Sequence, residues 1–192
     1  PGGQWQTLLN PTYLLQRSRL IGPQSMQQAQ AGQPGQAPSA WAPMPHQPEY
    51  GTSHISVIDP WGRAVSMTTT IEASFGSKMM VNSMQGQLGG FMLNNELTDF
   101  SFAPKDSRGF PIANRVEAGK RPRSSMSPTL VFHKNSGQLK MMGGSPGGAA
   151  IIHYTSKLLL GSLNGGLNVQ EAIDLPNFTN LNGPAFLEQK RF

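Results

Sequence analysis

Thr52 is the residue with the most specific chemistry open to it. It follows Gly51 at the junction between a stretch rich in Gln, Pro and Ala and an alternating run, His54-Ile55-Ser56-Val57-Ile58-Asp59. If the Gly51–Thr52 bond were cut, Thr52 would carry a hydroxyl nucleophile and an α-amine base in one residue, with no need of a His or Asp partner. On its own a Gly-Thr pair is equally an ordinary turn-to-strand transition. The chain has no cysteine. His46, His54, His133 and His153 fall at no metal-ligand or charge-relay spacing, so they read as structural, and neither metal nor cofactor is expected.

Three further groups have chemical potential. Gly143-Gly144-Ser145-Pro146-Gly147-Gly148 is a glycine turn between a strand and a helix, whose free backbone N–H groups suit a developing oxyanion; a tight structural turn is the other reading. It lacks the Lys-Ser/Thr of a phosphate-binding loop. Ser124 and Ser125, in Lys120-Arg121-Pro122-Arg123-Ser124-Ser125-Met126-Ser127-Pro128-Thr129, are paired hydroxyls before a strand, suited to a carboxylate or simply part of a polar loop. In Asn94-Asn95-Glu96-Leu97-Thr98-Asp99-Phe100, two carboxylates three residues apart are suited to an ammonium, although such residues also cap turns.

The elements that must position these groups are short. Asn10-Pro11 supplies an N-cap and a proline at the first helical position, which predicts a helix over residues 12–21. Residues 24–48 carry too little apolar surface to offset ordering entropy and read as a flexible linker. Strands are predicted at 54–59, 64–72, 79–82, 129–133 and 138–142, with turns at Pro60-Trp61-Gly62 and Lys134-Asn135-Ser136-Gly137. Helices are predicted at 149–163 and 169–175, the second stopped by Pro176. Residues 101–120 form a long polar loop with the length of a lid over a pocket. Hairpins followed by helices give an α+β class rather than a βαβ repeat.

Composition narrows the function. Of 192 residues, 37% are hydrophobic and 13% charged, with 22 Gly and 16 Pro, which suits a turn-rich globule and not a helical bundle. The net charge of +5 is scattered apart from a cluster at residues 115–123, and no aromatic-interleaved basic stripe accompanies it, so no nucleic-acid partner is expected. No apolar run reaches membrane-spanning length.

In this order and spacing the motifs resemble the small subunit of the γ-glutamyltransferases, N-terminal-nucleophile hydrolases, from Thr52 to about Phe192. Thr52-Ser53-His54-Ile55-Ser56-Val57 is similar to the family's processed N-terminus. Leu93-Asn94-Asn95-Glu96 and Asp99-Phe100 resemble its substrate segment, Arg121 to Thr129 its signature, and Gly144-Ser145-Pro146-Gly147-Gly148 its oxyanion turn. The resemblance implies an αββα sandwich, incomplete in this fragment. Residues 1–23 would be the end of the large subunit and 24–51 a linker ending at the processing site. Residues 52–192 would be a small catalytic subunit whose relatives continue further.

The resemblance also implies roles. The precursor would cut itself between Gly51 and Thr52. Thr52 would then attack the γ-carbonyl of glutathione or another γ-glutamyl compound, with Thr70 hydrogen-bonded to its hydroxyl and the N–H groups of Gly147 and Gly148 holding the oxyanion. Glu96, Asp99 and Glu72 would hold the substrate α-amine, with Glu72 the least secure since family members differ there; Ser124 and Ser125 would hold the α-carboxylate. Water, amino acids or dipeptides would accept the acyl group. The large subunit would be the partner, supplying an arginine, and the compartment periplasmic or secreted. Where the family often has Pro-Arg, this chain has Pro176-Asn177. The alternatives are a glutaryl- or cephalosporin-type acylase on the same scaffold, which has no α-amine to bind, and an inactive family member.

Overall fold

The computed structural model describes residues 5–35, 41–45, 51–82 and 89–191; His46 and parts of the expected linker lie outside the described residues. Helix α1, Pro11–Ser18, starts as expected: the Asn10 side chain accepts from Thr12 N at 2.9 Å and Tyr13 N at 3.2 Å. It ends before residue 21 because the backbone tightens, with Leu20 N donating to Arg17 O and Ile21 N to Ser18 O.

The segment that opens with Thr52 is an antiparallel hairpin. β1 (Thr52–Ile58) pairs with β2 (Ala64–Thr70) in register from Thr52↔Thr70 to Ile58↔Ala64. The period of two divides it into two faces. Thr52, His54 and Ser56 lie opposite Thr70, Thr68 and Ser66 on a polar face; Ile55 and Val57 lie opposite Met67 and Val65 on an apolar one. Asp59 closes the turn, its Oδ1 accepting from Trp61 N and Arg63 N at 3.0 and 2.8 Å.

Three more antiparallel pairs follow. β3 (Met80–Asn82) pairs with β4 (Gly90–Met92), and β5 (Thr129–Phe132) with β6 (Leu139–Gly143) through the expected 134–137 turn. β7 (Phe178–Asn180) pairs with β8 (Ala185–Leu187). Sequence reading missed β4, β7 and β8, three-residue strands too short to show alternation. The Ser66 hydroxyl donates to Gly143 O at 3.2 Å and so ties the first hairpin to the end of β6.

The helical part is α2 (Ile151–Leu163) against α3 (Val169–Asp174). Ile151 and Leu158 of α2 and Ala172 of α3 are buried. α3 opens with a capping box: Asn168 Oδ1 accepts from Glu171 N at 3.0 Å and Glu171 Oε2 from Asn168 N at 2.8 Å. Strands and helices are mixed as the α+β class requires; the described pairings are four separate two-stranded ladders.

Residues 101–120 contain no helix or strand but are tied internally. Ser101 N donates to Asn114 O, Ile112 N to Pro104 O and Asp106 N to Phe110 O, each at 2.9 Å, and Ile112 is buried. Within the stretch expected to be a linker, residues 41–45 dock on this loop. Ala42 is buried; its N–H donates to Pro111 O at 2.9 Å and its carbonyl accepts from Ala113 N at 3.2 Å. Trp41 stacks under the Arg115 guanidinium, 4.5 Å from the ring centroid. A polar composition hides this docking because it uses backbone groups and two side chains, not an apolar run.

Candidate active site

The ladder register puts Thr52 and Thr70 side by side at the open end of the first hairpin. The Thr70 hydroxyl donates to Gly51 O, the carbonyl that precedes Thr52, at 2.6 Å. Thr70 Oγ1 also accepts from Glu72 N at 2.9 Å. A donor on a carbonyl oxygen withdraws charge from the carbon and so favours attack there.

The glycine turn lies beside this hairpin. Gly147 has φ +130° and Gly148 φ +55°, conformations that residues with a Cβ rarely adopt. At Gly147 a Cβ would also meet the Tyr154 ring at 2.8 Å, and at Gly144 one would meet His54 at 2.5 Å. His54 therefore backs the turn: its Nδ1 is 2.8 Å from Thr68 Oγ1 and its Nε2 3.0 Å from Ser56 Oγ, and partial burial lowers its pKa. These bonds account for the histidine as a structural residue. Among the described residues no backbone carbonyl takes the Gly147 or Gly148 N–H, which leaves both as donors for an anion.

The carboxylates converge on the other side. Glu72 is buried at φ +70°, a strained conformation for a non-glycine residue, held by the Thr70 hydroxyl on its N–H and by Asn95 Nδ2 on its Oε2. Asn95 Oδ1 also accepts from Ala73 N at 3.0 Å, so one carboxamide fixes both the backbone after Glu72 and its carboxylate. Glu96 and Asp99 occupy a single 3₁₀ turn, Glu96–Asp99. Burial, a side-chain hydrogen bond to Asp99 and the charges of Asp99 and Glu72 push the Glu96 pKa up to about 7. Asp99 is also raised, by burial and by Glu72, against the lowering effects of Glu96 and Arg123. Glu96 Oε1 is buried with no hydrogen-bond partner. Carboxylates that raise one another's proton affinity, with an orphan acceptor among them, form a site that an ammonium would satisfy.

One cleft is lined by Thr52, Thr70, Glu72, Asp99, Arg123, Ser124, Ser125, Met126, Gly148 and Ile151. Of the residues singled out in the sequence, Glu96 shares its 3₁₀ turn with Asp99 but does not line this cleft, and Gly51 and Gly147 line an adjoining hollow that also reaches Thr52. Sequence reading assigned no role to Asn95, Arg123, Met126 or Ile151. Asn95 and Arg123 lie inside motifs already quoted, next to acidic and hydroxyl residues, which was the available signal.

The sequence profile described as Gamma-glutamyltranspeptidase matches residues 3–190. The chain is 39% identical over 181 residues to the glutathione hydrolase proenzyme of Bacillus subtilis (strain 168), an alignment covering 90% of this chain and 29% of that protein. It is 38% identical over 131 residues to the glutathione hydrolase proenzyme of Escherichia coli (strain K12), covering 66% and 21%. A solved structure of a Helicobacter pylori gamma-glutamyltranspeptidase mutant superposes with TM-score 0.53 at 42% identity, covering 66% of each chain. The relatives define a class of γ-glutamyl-processing proteins. This chain belongs to the gamma-glutamyltranspeptidase family, and spans under a third of the length of these two curated relatives.

Proposed function

We propose that the protein containing this chain is a self-processed γ-glutamyl hydrolase and transpeptidase. The observation that carries the reading is the convergence of Thr52, Thr70, the Glu72 and Asp99 carboxylates and the Ser124-Ser125 pair around one cleft, with Gly148 of the glycine turn at its edge. In the precursor the Thr52 hydroxyl adds to the Gly51 carbonyl carbon, polarised by Thr70. The C–N bond breaks to give an ester, the nitrogen takes the proton, and water hydrolyses the ester to free the Thr52 α-amine.

In the processed enzyme that amine takes the hydroxyl proton as Thr52 attacks the γ-carbonyl of glutathione or a related compound. Gly147 and Gly148 N–H groups hold the oxyanion, and the leaving amine departs with the proton. Water or an amino-acid or dipeptide amine then takes the acyl group from the γ-glutamyl-Thr52 ester. Glu72, Glu96 and Asp99 hold the α-ammonium, Ser124 and Ser125 the α-carboxylate. The orphan Glu96 Oε1 favours a substrate with an α-amine over a glutaryl chain.

The same reading makes the fold an αββα sandwich completed by a large subunit from the same precursor. Ile55, Val57, Val65 and Met67 form an apolar face of the first hairpin, each between 44% and 56% exposed in this chain, and such a face suits burial against that subunit. Among the described residues no helix is long and apolar enough to cross a membrane. By family resemblance the processed enzyme is periplasmic or secreted.

Intact mass of the purified full-length precursor, beside Thr52→Ala, tests the proposal. Two fragments with the break at Gly51–Thr52 in the parent and one uncut chain in the variant are expected. An uncut parent that releases no γ-glutamyl anilide would leave the inactive-member reading in its place.

A further inference from the structure

Asn114 lies in the irregular 101–120 loop, outside every motif that the functional reading uses. Its half-buried carboxamide nevertheless joins the two halves of the cleft. Nδ2 donates to the carbonyl of Asp99 at 2.6 Å, and Oδ1 accepts from the backbone N–H of Arg123 at 3.0 Å. Asp99 ends the carboxylate turn, and Arg123 immediately precedes the Ser124-Ser125 pair. Nδ2 also reaches Met44 Sδ at 3.0 Å, and the Asn114 carbonyl accepts from Ser101 N at 2.9 Å, so the group is held in orientation from its own backbone as well.

An amino-acid head group carries its ammonium and carboxylate on one carbon, so their separation is fixed. A site that grips both must hold its two halves at a matching separation, or one grip is lost when the other forms. We propose that Asn114 is the positioning residue that sets this separation, locking the ammonium-binding turn to the carboxylate-binding serines so that a zwitterionic donor engages both at once. It touches no reacting atom. The surrounding loop has independent ties: Lys120 Nζ bonds the carbonyls of Ala113 and Arg115, Arg115 pairs with Glu117 at 3.0 Å, and Ile112 is buried. Removing the carboxamide therefore loosens the link and leaves the loop in place.

The inference rests on the γ-glutamyl reading, and the experiment separates the two. The full-length processed protein is first assayed on γ-glutamyl-p-nitroanilide; no turnover there defeats the functional reading itself. With turnover present, three competitive inhibitors are compared in the parent and in Asn114→Ala: L-glutamate, glutarate, which lacks the α-amine, and 4-aminobutyrate, which lacks the α-carboxylate. Loss of two hydrogen bonds is expected to weaken L-glutamate about tenfold, to raise the donor KM by a similar factor with kcat within about twofold, and to change the single-headed inhibitors less than about twofold. Asn114→Asp keeps an acceptor for the Arg123 N–H but has no donor for the Asp99 carbonyl. It is expected to show the same selective loss, and it carries the test if the alanine variant does not accumulate. Equal weakening of all three inhibitors, an unchanged L-glutamate affinity, or a fall in kcat with KM preserved overturns the proposal.

Discussion

In the hairpin from Thr52 to Thr70 every residue of β1 faces a partner in β2, so the ladder alone brings the two threonines together. From residue 93 to 127 there is one short 3₁₀ turn and no strand, yet this stretch supplies Glu96, Asp99, Ser124 and Ser125. There the positions are set by side chains that bond to backbone: Asn95 onto Ala73, and Asn114 onto Asp99 and Arg123. Under the proposed function, the reacting threonines sit on repetitive structure and the recognition groups on irregular chain. A cooperative ladder distributes the cost of losing one bond over many, whereas a carboxamide bridging two loops has no neighbour to take over its work.

The largest expected effect comes from a change that leaves the ladder intact and removes one hydroxyl. Thr70→Val preserves shape and β-propensity but deletes the donor to Gly51 O and the acceptor for Glu72 N. Loss of one oxyanion-type donor slows such reactions about 100- to 1,000-fold. Self-processing of the full-length precursor, followed as the uncut fraction over time on a denaturing gel, is expected to slow by about that range. Processing at the parental rate would mean that the hairpin contributes geometry without chemistry, and the contrast between the two regions would weaken.

A smaller effect is expected in the irregular region, and it depends on pH. The folded pKa of Glu96 is raised from 4.5 to about 7, and that of Asp99 is raised as well. A raised carboxyl binds its proton more tightly folded than unfolded, so its contribution to stability is complete below the unfolded value and is lost as pH rises through the folded one. The melting temperature of the ligand-free processed protein is therefore expected to fall between pH 5 and pH 8. In Glu96→Gln the slope is shallower, because the amide cannot titrate. Saturating L-glutamate is expected to offset the fall in the parent, since a bound ammonium favours the ionised carboxylates. Superimposable parent and variant curves would remove the raised proton affinity of Glu96 from the account of this site.

What was legible in the sequence follows the same division. Both strands of the first hairpin, the 134–137 turn, the N-cap at Asn10 and the long helix after the glycines follow from period, turn chemistry and capping, all local properties. The candidate catalytic and binding motifs were visible as residue types, and their order carried the family resemblance. The partnerships between distant residues were not. Nothing in the sequence announces that Asn95 steadies Glu72, that Asn114 spans the cleft, or that Ala42 in a polar linker pairs with the backbone at residues 111 and 113. Each depends on a loop path that no periodicity encodes. Thr70 shows the same limit, because nothing in the sequence says that its hydroxyl takes the Gly51 carbonyl as acceptor.

The smallest effect is expected where the two kinds of structure meet. The Ser66 hydroxyl donates to Gly143 O at 3.2 Å, joining β2 to the strand that leads into the glycine turn. It is one neutral bond, and both of its ends are already ordered: Ser66 by its pairing with Ser56, Gly143 by its pairing with Thr129. A neutral hydrogen bond contributes about 1 kcal/mol net, so Ser66→Ala is expected to lower stability by about that amount or less in denaturant unfolding of the full-length protein. Its processing rate is expected to stay within about threefold of the parent, because His54, wedged against Gly144 and bonded to Thr68 and Ser56, still backs the turn from the same face of the hairpin. A loss approaching that of Thr70→Val would show that the turn is located by this single contact. The ordered hairpin would then position its neighbour as the loops do, through one irreplaceable bond.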